Sequence, residues 1–80
     1  MKYIETFNVA LHFSSPGMAR QAAKRVIYSL DEEASKNIEV VIGAVEMPDS
    51  VRFTPVFILN EHSKHGKDAI ASMGFAVNNI

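Results

Sequence analysis

The sequence predicts a small α+β domain, a two-layer sandwich in which an antiparallel sheet is covered by two helices. Three observations carry that expectation. The stretch from Ile38 to Leu59 holds two β-branched apolar runs around Met47-Pro48-Asp49-Ser50, the pattern of a strand, a turn and a strand. From Tyr3 to Phe13 apolar and polar residues alternate, as in a strand with one buried face. Between these two stretches, Ala19, Ala22, Ala23, Val26, Ile27, Leu30 and Ala34 recur at helical spacing.

In chain order, the first strand points Tyr3, Phe7, Val9, Leu11 and Phe13 to one side, with Glu5 as the exception on that apolar face. A carboxylate there calls for a strand end or a cation. Ser14-Ser15-Pro16-Gly17 then stops the strand and opens a helix, a serine serving as N-cap and Pro16 occupying the first helical position, where its missing N–H costs nothing. The alanines let this helix approach the sheet closely, and Val26, Ile27 and Leu30 bury about 1.5–3 kcal/mol each. The helix is expected to run to Lys36, with Asn37 as a left-handed cap.

In the hairpin turn, Pro48 presets the φ that the second position of a type I or II turn needs, and Asp49 and Ser50 can bond back to the backbone. Asn60 to Lys67 reads as a polar loop, followed by a second helix over Lys67 to Met73 with Ala69, Ile70 and Met73 turned inward. Beyond it, either the helix continues through Val77 to Ile80, or Gly74 ends it and Phe75 to Asn79 forms a last strand. A glycine in a helix interior costs about 1 kcal/mol relative to alanine, which favours the strand.

The resulting order, β-α-β-β-α with a final β, is that of the split βαβ, ferredoxin-like sandwich. Pro55 conflicts with it, because it falls in the third strand, which is central there, and proline cannot donate to a ladder. Thr54-Pro55-Val56-Phe57-Ile58, followed by His62, Gly66, Lys67, Asp68 and Ile70, resembles the second half of a glutaredoxin, where a cis-proline opens a strand. Phe13-Ser14-Ser15-Pro16-Gly17 then sits where such proteins carry their redox motif. The resemblance covers less than half of the chain and implies an alternative fold, a truncated thioredoxin/glutaredoxin-like arrangement. It implies no activity, since the cysteines are missing.

Eighty residues make one domain, 1–80, with a thin core despite 48% hydrophobic residues. The formal net charge of −1 argues against a generally basic nucleic-acid binder. Absence of cysteine removes disulfides, thiolate ligands and thiol nucleophiles. No apolar run approaches a membrane span, and the first residues lack the apolar core of a signal peptide, so a cytoplasmic, soluble protein without membrane contact is expected.

Candidate chemistry is sparse. His62 and His65 stand three apart, a spacing that could place both on one side of a helical turn, yet His12 or Glu61 would have to complete a metal site, and no metal is expected. Ser14 or Ser15 with His12 has neither a strained elbow nor an orienting acid, and Asp31-Glu32-Glu33 reads as a solubilising turn, so no catalytic residue is assigned and no enzyme is expected.

Binding surfaces are better supported. Arg20, Lys24 and Arg25 form a basic patch on the first helix, while Lys64, His65 and Lys67 crowd the start of the second, where positive charge opposes the helix dipole and an anion would relieve it. Ser14, Ser15 and Gly17 form a possible ligand loop that lacks the longer glycine pattern and the lysine of a P-loop. These features point to a cofactor-free binding or regulatory protein, an inhibitor or accessory factor of the kind phages encode, acting on a protein through a sheet edge or the basic helix face. The alternatives are a nucleic-acid-binding module on the same basic residues and a small anionic-ligand sensor. Homodimerisation would add stability to so small a core.

Overall fold

The computed structural model describes residues 2–79, the side chain of Ala34 excepted. The elements are β1 (Tyr3–Val9), α1 (Pro16–Tyr28), α2 (Glu32–Lys36), β2 (Ile38–Met47), β3 (Ser50–Asn60), α3 (Gly66–Ser72) and β4 (Val77–Asn79). The four strands form one antiparallel sheet in the order β2-β3-β1-β4. Phe7 and Val9 of β1, Ile38 of β2, and Phe57 and Leu59 of β3 project from one face and pack with Ala23 and Val26 of α1 and Ile70 of α3. The rings of Phe7 and Phe57 stack at the centre, 5.3 Å apart.

The hairpin is long and regular. β2 pairs with β3 without a register shift from Ile38↔Leu59 to Met47↔Ser50, leaving Pro48 and Asp49 as its two-residue turn. No non-glycine among the described residues has a positive φ, which excludes turn types II, I′ and II′. The choice between type I and type II is thereby narrowed to type I or another negative-φ class.

β1 is shorter than the alternation suggests, and Pro55 is the reason. Phe13 and Phe53 exchange both backbone hydrogen bonds, at 2.7 and 2.8 Å, so the polar groups of Phe53 face the β1 side. Alternation then turns those of residue 55 the same way. Its nitrogen has no hydrogen to give, and β1 leaves the ladder after Asn8↔Val56, returning only at the isolated Phe13↔Phe53 bridge. The conflict between Pro55 and a central strand is resolved by this excursion. Pro55 is trans, lies inside β3 rather than at its start, and pairs with Ile42, which departs from the glutaredoxin-like arrangement.

A bulge between Tyr3 and Glu5 overturns a second expectation. The extra residue reverses the side to which Tyr3 points, and its ring lies on the face opposite the helices, where the hydroxyl donates to Glu39 Oε2 at 3.1 Å. Glu5 keeps its inward direction and meets its cation. Lys67 Nζ lies 2.7 Å from Glu5 Oε1 and also reaches Asn79.

The first helix does not run to Lys36. Ser29 donates both its hydroxyl, at 2.6 Å, and its N–H to the Val26 carbonyl, ending α1 by local competition. The chain restarts as α2, whose first backbone acceptor is Asp31. Asn37 has no left-handed backbone; instead its side-chain amide donates to the Glu33 carbonyl. On α1, Ala19, Ala23 and Val26 are buried and Ala22 and Ile27 half-buried along the expected stripe, and Leu30, beyond the end of the helix, is half-buried as well. Gly74, at φ +95°, follows the end of α3 as expected, and Val77–Asn79 forms β4; Ile80 lies outside the described residues.

Candidate functional site

The groove between α1 and β2 combines both binding features of the sequence. Arg20 and Lys24 are one helical turn apart on the flank of α1 that overhangs β2. Below them, Ala23, Ile27, Val40 and Ile42 line a cleft of about 400 Å³. Neither cation has a hydrogen-bond or ion-pair partner among the described residues. The rim is therefore positive, the floor is apolar, and the outer wall is the backbone of a strand at the sheet edge.

Arg25 lies elsewhere. At 100° per residue, it projects to the other flank of α1 and lines a separate apolar groove with Leu11, Phe13, Met73 and Phe75. The basic patch of the sequence is thus divided between the two sides of the helix.

The second basic cluster does not converge either. Lys67 is occupied by Glu5 and Asn79, with only 23% of its side chain exposed. His65 takes the N-cap position of α3 without a side-chain capping bond, and Lys64 is exposed. In the Ser14-Ser15-Pro16-Gly17 turn, the Ser15 hydroxyl accepts from the Met18 N–H at 3.2 Å and Ser14 donates to the Met18 sulfur. A Cβ on Gly17 would meet nothing within 4 Å, so no close backbone approach demands glycine there. Capping accounts for this loop.

His62, His65, Asp31 and Glu33 border a polar cleft of about 530 Å³ between the α1–α2 turn and α3. Its serines are turned to structural work: Ser29 donates to Val26, Ser72 to Ala69 and Ser63 to Asn37. Ser63 also accepts from the Asn60 N–H at 3.0 Å, while the Asn60 amide donates to Asn37 Oδ1 and accepts from the His62 N–H. This buried network ties the β3–α3 turn to the start of β2. His62 stands 3.7 Å from Glu61, both well exposed. Among the described residues, no three His, Cys, Asp or Glu side chains are placed to hold a metal ion, and no helix is long and apolar enough to cross a membrane.

Sequence reasoning missed Val40 and Ile42 as site residues, because their apolar side chains signal core whether a strand is central or at an edge. No family model, curated protein or solved structure matches the chain.

Proposed function

We propose that this chain is a non-enzymatic, cytoplasmic binding protein that regulates or inhibits a partner protein, docking it in the α1–β2 groove. The observation that carries the reading is the meeting of two cations without a partner among the described residues, Arg20 and Lys24, with the apolar floor of Ala23, Ile27, Val40 and Ile42 beside an open strand. An apolar centre with a charged rim suits a protein surface. A nucleic-acid backbone is less well served, since Arg25 faces the other flank of α1 and Lys67 is engaged by Glu5. The finer fold reading, the ferredoxin-like sandwich, is supported by the way each helical crossover joins two parallel strands across an intervening antiparallel one: β1 to β2 around β3, and β3 to β4 around β1.

The test is a pull-down of the tagged protein from a lysate of its source cells, with and without nuclease, beside an R20E/K24E variant. A stoichiometric protein that survives nuclease and is lost with the variant is the expected result. Retention abolished by nuclease would transfer the site to nucleic acid.

A further inference from the structure

We propose that the partner contributes an extended segment, carrying at least one acidic side chain, that adds to β2 as a fifth strand along Val40–Ala44. The proposal rests on the docking reading above and specifies its geometry.

Hydrogen-bond parity identifies the free groups. The mutual bonds of Phe13 and Phe53 turn residues 53, 55, 57 and 59 of β3 towards β1, leaving 54, 56 and 58 to serve β2. Their partners are Gly43, Val41 and Glu39. The N–H and C=O groups of Val40, Ile42 and Ala44 therefore point away from the sheet, at an edge with no neighbouring strand among the described residues.

Between Val40 and Ala44 that edge carries no charge, no proline and no bulge, its two charged residues, Glu39 and Glu46, lying outside the stretch. Across ten residues β2 has no proline, no lysine and no bulge in its pairing, whereas β4, at the other edge, is three residues long. Sheets normally blunt such an edge, because an open row of donors and acceptors is a template for another strand. Strand addition supplies affinity through the backbone and selects through alternate side chains. Here the side chains that turn towards α1 would cover Val40 and Ile42 and come beneath Arg20 and Lys24, which favours an apolar segment with a carboxylate.

A second copy is the obvious competitor for the edge. Antiparallel pairing of two β2 strands through the free groups of Val40, Ile42 and Ala44, for instance centred on Ile42, sets the α1 helices side by side. Arg20 and Lys24 of each copy would then face their equivalents, and like charges oppose that arrangement. An acidic segment replaces the repulsion with attraction.

The test is selection of binders from a displayed random dodecapeptide library, followed by amide hydrogen exchange on the full chain with the tightest peptide. The expected peptides alternate β-branched residues and include Asp or Glu. Bound, they slow exchange at Val40, Ile42 and Ala44 on the order of tenfold or more, while Val41 and Gly43, already bonded to β3, change little. R20E/K24E and an Asp/Glu-to-amide version of the peptide should each weaken binding by about tenfold or more. Peptides that depend on Arg20 and Lys24 but leave the three amides exchanging freely would overturn strand addition while sparing the docking groove. The same three amides becoming protected at high concentration of the chain alone would make the occupant a second copy and overturn the acidic segment. No peptide selected, together with an empty pull-down, would overturn both readings.

Discussion

Pro55 pairs with Ile42 of β2 while its nitrogen, which carries no hydrogen, faces β1. The missing donor thus falls on the side where the neighbouring strand can leave, and the unbroken β2–β3 hairpin is spared. Nearby, the Val9 carbonyl accepts from the Leu11 N–H at 2.8 Å and from the buried Thr54 hydroxyl at 3.3 Å. Thr54→Val keeps the shape and removes the second donor. We expect a loss of about 0.5–1.5 kcal/mol in urea unfolding with an unchanged slope. No change would mean that the Leu11 bond alone satisfies Val9.

The hairpin, both main helix starts and the inward residues Phe7, Val9 and Ile70 are legible in the sequence, because each lies in a segment whose local pattern agrees with the fold. Glu5 is legible as a residue needing a cation, but its partner Lys67 is remote in sequence and reads there as part of an anion site. Tyr3 reads as a core residue because a bulge leaves no mark in a period of two until the partner strand is known. The α1–β2 groove was not legible as a place, since strand order decides whether Val40 and Ile42 line an edge or lie between strands.

The ion pair between Glu5 and Lys67 is largely shielded, with side-chain exposures of 30% and 23%. It fastens α3 to β1 across the register that also sets Asn79 beside Phe7. A double-mutant cycle with Glu5→Gln and Lys67→Met should give a coupling of about 1 kcal/mol, at the upper end of what fully exposed pairs reach. A coupling indistinguishable from zero would show that the contact contributes geometry without stability.

Two glycines should respond to alanine in opposite directions. At Gly66 a Cβ would stand 2.9 Å from Ile38 Cδ1 and 3.2 Å from Leu59 Cδ2, in the buried contact between α3 and the sheet. Gly66→Ala is expected to lower stability by about 1–3 kcal/mol through overpacking. At Gly17, in the first turn of α1, the same group enters open space and restricts the unfolded chain, so Gly17→Ala should raise stability by about 0.4–1 kcal/mol. Thermal unfolding of the two single variants decides the signs, and a stabilising Gly66→Ala would contradict the close helix–sheet approach.

The Tyr3–Glu39 contact makes a prediction in alkaline solution. The Tyr3 phenol is held above its ordinary value of 10.0, first because its hydroxyl donates to the Glu39 carboxylate, then because that negative charge opposes phenolate formation, and last through burial. A raised acid constant in the folded state means that the folded chain binds the proton more tightly than the unfolded one. The contact's contribution is therefore fully present below the unfolded value and is lost as pH rises through the folded value. In a Tyr28→Phe background, which leaves Tyr3 as the single tyrosine, phenolate absorbance should titrate with a midpoint above 10.0. Glu39→Gln removes the charge and should bring that midpoint down towards the ordinary value. An unshifted midpoint in the Tyr28→Phe background would mean that the Tyr3 ring does not reach across β3 to Glu39, and with it the reversal of Tyr3 by the bulge would lose its support.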